Sequence, residues 1–72
     1  MKQKYSHKRD QIDDLMEALG RVHRTEGVVA ARAMLPAGLL PAITQMMTIE
    51  NIGFTRAAEV VIRTAQLVQE AT

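Results

Sequence analysis

Side chains that could carry out nucleophilic catalysis are scarce in this chain of 72 residues. There is no cysteine, the one serine is Ser6, and the two histidines are His7 and His23. Nucleophilic catalysis requires a thiol or hydroxyl within hydrogen-bonding distance of a base. Ser6 and His7 are consecutive, and consecutive residues of a helix do not face each other. We therefore expect no enzymatic activity and no catalytic residue.

Sets of residues that could bind a metal ion or a nucleotide are also lacking. Structural zinc sites use four ligands, and His23 has only Glu26 near it on the same side of a predicted helix. We interpret His23 as hydrogen-bonded at the helix end, or as a pH-sensitive interface contact. A calcium loop is non-helical with a central glycine, whereas the acidic cluster falls at a helix start: Asp10, Asp13, Asp14 and Glu17. No phosphate-binding glycine pattern occurs, so we expect neither metal, cofactor nor small-molecule substrate.

Basic residues are concentrated at the start of the sequence, although the formal net charge is only +1. The first nine residues form a basic arm without an acidic residue, which we expect to be partly disordered or an extension of the first helix. Contacts with nucleic acid or an acidic partner would come from the arm and from three later arginines. These candidate residues are Lys2, Lys4, Lys8, Arg9, Arg21, Arg24 and Arg32.

The remaining chain, residues 10–72, reads as one all-α domain. Apolar residues recur at steps of three and four in the first helix, which we expect over about 10–25. Further helices are expected over about 26–35, 39–51 and 55–71, with Thr55 as the N-cap of the last. Gly27 should end the first helix, Asn51 or Gly53 the third, and Pro41 is tolerated in a first turn. The fold class predicted is a compact bundle of four short helices after the basic arm.

The fourth predicted helix is apolar over most of its circumference. Its polar residues step by three and four, so they form one narrow stripe: Arg56, Glu59, Arg63, Gln66 and Glu70. Three short partner helices cannot cover the rest, which favours an interface shared between two copies of the chain. We expect that homodimer interface to include Val60, Val61, Ile62, Ala65, Leu67 and Val68.

The segment 33–49, AMLPAGLLPAITQMMTI, has no charged residue. It is too short and too interrupted by proline and glycine for a membrane span, which needs about 20 apolar residues. Its methionines suit adaptable apolar contacts, and the apolar residues together exceed what a small monomer covers. We therefore expect Met34, Met46 and Met47 to lie near an interface with a second copy of the chain or with another protein, while Leu39 and Ile43 turn inward.

A chain of this size buries only about 60% of the surface exposed by its unfolded form, and without cysteine it has no disulfide to compensate. Self-association is the remaining stabilising route. No secretory signal pattern is present, which favours a cytoplasmic location. The leading hypothesis is a noncatalytic regulatory or adaptor protein that homodimerises and binds a protein target.

Two alternatives stay open at this point. The first is a DNA-binding regulator of helix-turn-helix type, using the basic arm and the second and third helices. Against it, the third helix offers Thr44, Gln45 and Thr48 but no basic residue to a polyanion. The second alternative is a structural subunit of a larger assembly.

Overall fold

The computed structural model describes residues 10–71, and within that range every regular element is helical. There are four α-helices, α1 (Gln11–Glu26), α2 (Val28–Ala33), α3 (Leu40–Glu50) and α4 (Phe54–Ala71). One 3₁₀ turn, Ala37–Leu39, precedes α3. The predicted all-α class and the four helices are confirmed. The basic arm at residues 1–9 lies outside the described residues.

Helix α1 begins where a reciprocal capping box satisfies two otherwise unpaired amides. The Asp10 carboxylate accepts a hydrogen bond from the Asp13 amide at 2.8 Å, and the Asp13 carboxylate accepts one from the Asp10 amide at 3.1 Å. Arg24 lies in the last turn, where a cation interacts favourably with the helix dipole. The first predicted helix therefore begins at a capped residue, and the charge in its last turn matches the direction of the helix dipole.

Gly27 ends α1 and also precedes α2, so one residue separates the two helices. Its backbone has φ 97° and ψ 173°, a region that is essentially restricted to glycine. Its amide donates to the His23 carbonyl, and its own carbonyl accepts from Ala31. The predicted stop at Gly27 is confirmed, and the unusual backbone explains how α2 can turn away without a longer loop.

Helix α2 is shorter than the predicted 26–35. After Ala33 the amides of Met34 and Leu35 bond carbonyls only three residues earlier, those of Ala31 and Arg32. This tighter turn precedes Pro36, which cannot continue a helix because the residue before it is pushed out of the helical region. The tightening places Leu35 in the core, where it is 7% exposed.

Helices α3 and α4 are joined by three residues. Asn51 adopts the left-handed conformation with φ 54°, as one of the two predicted caps. Pro41 lies in the first turn of α3, as predicted. The predicted N-cap at Thr55 is wrong: α4 begins at Phe54, and the carbonyl of Gly53 accepts the first helical bond from Ala57. Phe54 is thereby incorporated in the helix and buried.

The core draws residues from all four helices. Among residues 10–71, the large side chains with no exposed surface are Leu19 and Ile43, and they join a cluster with Phe54, Ala57 and Ala58. Ala31 and Leu35 complete the buried set of this cluster. The expected inward orientation of Ile43 is confirmed, whereas Leu39 is only half-buried at the edge of the core. So small a core makes each member costly to lose.

Ile43→Ala should lower the free energy of unfolding by about 2–5 kcal/mol, because it leaves a cavity beside the other core residues. Ile49→Ala is the matched control, since the same side chain of the same helix is 67% exposed there. We expect the control to change stability by less than about 0.5 kcal/mol. Urea denaturation followed by circular dichroism measures both, and equal losses would contradict this core assignment.

Gly27→Ala should destabilise the fold by about 1–3 kcal/mol through backbone strain alone, because no heavy atom lies within 4 Å of an added Cβ. Asn in place of Gly27 should not rescue the fold, since the φ and ψ values are outside the left-handed helical region that asparagine tolerates. Gly38→Ala is the control: its Cβ also meets nothing within 4 Å and its φ is not positive. A comparable loss of melting temperature in the control would rule out the strain.

Candidate protein-interaction surface

Helix α4 extends beyond the helices that cover it. At 1.5 Å per residue its 18 residues span about 27 Å, whereas the 11 residues of α3 span about 17 Å. Its buried residues, Phe54, Ala57 and Ala58, all lie in its first two turns. Every residue from Thr64 to Ala71 is exposed. The second half of α4 therefore offers its apolar side chains to solvent.

An apolar groove runs between α3 and α4 and encloses about 360 Å³. Its floor and walls come from the facing sides of the two helices, with Gln45, Glu50 and Thr64 as the polar members. The lining residues are Ala42, Gln45, Met46, Ile49, Glu50, Val61, Thr64 and Ala65. We call this surface the α3–α4 groove. It has the composition of a binding site for an apolar side chain or helix rather than for a charged metabolite.

The predicted interface residues of α4 fall on two different sides of the helix. Val61 and Ile62 are half-buried and pack against the core, so they contribute to folding as well as to the surface. Ala65 is exposed in the α3–α4 groove, and Val68 is 60% exposed. Val60 is half-buried and Leu67 is 66% exposed. The structure thus brings Val61 and Ala65 together with α3, but it does not bring Leu67 to the groove.

The three methionines predicted at an interface are also divided. Met46 lines the α3–α4 groove and packs against the core, and Met47 is half-buried against the core. Met34 is 37% exposed, at the end of α2. Sequence reasoning did not select Ile49, which the groove exposes. The sequence places Ile49 in the uncharged segment 33–49. Membership of that segment does not distinguish the exposed Ile49 from the buried Ile43.

An ion cluster fixes α4 against the start of α1. The Arg63 guanidinium donates to Asp13 at 2.8 Å and to Glu59 at 3.1 Å, and it lies 3.5 Å from Asp10. The hydrogen bond that Arg63 donates to Glu59, and then the charges of Asp10 and Asp13, raise the pKa of Arg63, against an opposing effect of desolvation. Because Asp10 and Asp13 also form the capping box, these two members of the acidic cluster stabilise the start of α1 and its contact with α4.

His23 makes a contact that the sequence did not predict. Its ring stacks on Phe54, with centroids 5.7 Å apart and planes 10° from parallel. The stack joins the last turn of α1 to the first residue of α4. Within residues 10–71 this aromatic contact takes the place of the predicted side-chain hydrogen bond at the helix end.

The described part of the chain has neither a metal-binding cluster nor a membrane-spanning helix. No group of three or more histidine and acidic side chains there could hold a metal ion. None of its helices combines the length and apolar character needed to cross a bilayer. Comparison of the chain with protein-family models, curated proteins and solved structures finds no match.

The candidate basic contacts do not form one continuous patch in the described range. Arg21 and Arg24 are exposed on α1, whereas the Arg32 guanidinium donates to the Thr44 hydroxyl of α3 at 3.5 Å. Six residues separate α2 from α3, more than the three or four of a helix-turn-helix. The remaining candidates, Lys2, Lys4, Lys8 and Arg9, lie outside the described residues.

DNA binding, if it occurs, should therefore be nonspecific. In a mobility-shift assay we expect unrelated duplexes to behave alike, with any shift lost between low and physiological salt. Replacing the four basic residues of the arm by glutamine should remove it. The control replaces Thr44 and Gln45 by alanine, which leaves the charge unchanged and should have no effect. A salt-resistant shift that depends on Thr44 and Gln45 would instead identify α3 as a base reader.

Proposed function

We propose that the chain is a noncatalytic adaptor or regulator that self-associates and binds a helical segment of a protein target in the α3–α4 groove. The observation that carries the proposal is the groove itself, an apolar channel between two helices with exposed Ile49 on its wall. A folded protein of this size gains stability by burying such side chains, and leaving Ile49 67% exposed forgoes that gain. An amphipathic helix is the natural occupant because helical grooves of this kind receive apolar anchors spaced three, four and seven residues apart.

Charge at the rim of the groove indicates how the target would be oriented. Glu50 is exposed at the end of α3, beside Ile49, and it is the one charged residue among the groove residues. A lysine or arginine on the target helix would lie opposite it. Such a rim pair contributes more to orientation and association rate than to affinity. The target is thus an amphipathic helix with apolar anchors and a basic residue at one end.

Adaptable side chains on the groove wall support a regulator more than a rigid structural subunit. Met46 is half-buried in the groove and has three rotatable bonds, so its thioether can follow anchors of different shape. Val61 supplies a stiffer wall on α4. One flexible and one stiff wall would accommodate related target helices while excluding polar ones.

Selection of displayed peptides of about 20 residues against the immobilised protein tests the proposal. We expect the enriched peptides to share an apolar pattern of helical period and a basic residue. Amide chemical shifts recorded during titration of one such peptide should change first at the groove residues of α3 and α4. Peptides without helical periodicity, or shifts confined to α1 and α2, would contradict the proposed site.

Ile49→Asp should weaken binding of the selected peptide by about tenfold or more, because it places a charge in the apolar groove. Val29→Asp is the matched control, since Val29 is 79% exposed on α2, away from the groove. Both variants should remain folded. Titration by fluorescence anisotropy measures the affinities, and equal binding by the parent and Ile49→Asp would overturn the proposal.

A further inference from the structure

A second apolar surface lies on α4, on the side turned away from most of its core residues. At 100° per residue, Val60 and Leu67 project about 120–180° away from Phe54 and Ala58, and about 60–80° away from Ala57. Val60 is half-buried, and Leu67 is 66% exposed.

Ala71 lies beyond Leu67 on the same side, whereas Thr64, between Val60 and Leu67, lines the α3–α4 groove. We call Val60, Leu67 and Ala71 the outer stripe. None of these three residues lines the groove, so the proposed target helix leaves the outer stripe uncovered.

The charges beside the outer stripe are arranged with opposite signs at its two ends. Arg56 and Glu70 are exposed, and neither forms an ion pair with another residue of the range 10–71. The charged residues between them, Glu59 and Arg63, pair with each other at 3.1 Å. The flank of the outer stripe is therefore basic at the Arg56 end and acidic at the Glu70 end. The charges between these two residues are neutralised by ion pairs within the chain.

This pattern distinguishes between the two ways in which α4 could pair with α4 of a second copy. A parallel pair would place Arg56 beside Arg56 and Glu70 beside Glu70, and like charges facing each other are unfavourable. An antiparallel pair with its two-fold axis between residues 63 and 64 places Val60 opposite Leu67. In the same register, Arg56 of one copy and Glu70 of the second copy lie about one residue apart along the helix axis, a distance of about 1.5 Å.

We infer that two copies of the chain associate through the outer stripe with their α4 helices antiparallel. Each copy contributes Val60 and Leu67 to an apolar centre, and Arg56 pairs with Glu70 of the second copy at both ends. Isologous contacts of this kind close after two copies. The inference rests on the self-association that forms part of the proposed function, and it adds the surface, the direction and the register.

Cysteine cross-linking tests the direction, because the chain has no cysteine of its own. In the antiparallel register, an equimolar mixture of Val60→Cys and Leu67→Cys should form a disulfide-linked heterodimer under mild oxidation. Leu67→Cys alone should link poorly, because the two thiols would lie about 10 Å apart along the axis, beyond the reach of a disulfide. Efficient linkage of Leu67→Cys to itself would show a parallel pair and overturn the inference.

Charge reversal tests the register without disturbing the fold, since both residues are exposed. At low ionic strength, Arg56→Glu or Glu70→Arg alone should raise the dimer dissociation constant by about three- to tenfold. The double variant should return it toward the parent value, because the two signs are exchanged together. A double variant that dissociates as readily as the single variants would contradict the pairing of Arg56 with Glu70.

Sedimentation of the parent protein and of Leu67→Asp separates failure of this inference from failure of the proposed function. A dimeric parent and a folded, monomeric Leu67→Asp variant support the outer stripe. A Leu67→Asp variant that remains dimeric places the interface elsewhere and overturns only the inference. A parent protein that is monomeric at millimolar concentration would contradict self-association in this inference and in the proposed function alike. Peptide binding in the groove is tested separately by Ile49→Asp.

Discussion

Close packing of α4 against Leu19 and Ile43 is the interaction on which the rest of the architecture depends. Phe54 supplies the volume, and the small side chains of Ala57 and Ala58 let the helix backbone approach, with no exposed surface left at either alanine. Tight packing of this kind holds only the first two turns. The Arg63 cluster then ties α4 to the capped start of α1. Beyond that point α4 continues without cover, which leaves Leu67 and Val68 largely exposed.

Much of the fold follows from local rules that can be read in sequence. The periodic apolar residues of α1, the restricted backbone at Gly27 and the left-handed Asn51 each act over a few neighbouring positions. The contacts between helices could not be predicted in this way. Arg63 reaches Asp13 across 50 positions, and His23 stacks on Phe54. Periodicity identifies which side of a helix is apolar, but it does not identify the residue that this side meets.

The candidate site was predictable in composition but not in shape. An excess of apolar residues on the third and fourth helices correctly indicated surface beyond the capacity of the core. Assigning that surface to two sides required the structure, because Ala65 and Leu67 are only two positions apart and differ in direction by about 160°. Ile49 and Ile43 are similarly indistinguishable by type, yet one is 67% exposed and the other fully buried. Helix length and angle, which determine this difference, are properties of the packed molecule.

The uncovered turns of α4 also bear on how long a copy of the chain would survive in a cell. Helical segments with few buried contacts open locally far more often than the core, and proteases cleave opened backbone. Residues 64–71 have no buried member, so a copy without a partner exposes them to proteases. The proposed pairing through the outer stripe would protect those turns, to an extent that rises with the protein concentration. Proteolysis would thus remove isolated copies faster than associated ones. The amount of the protein in the cell would therefore depend on its assembly.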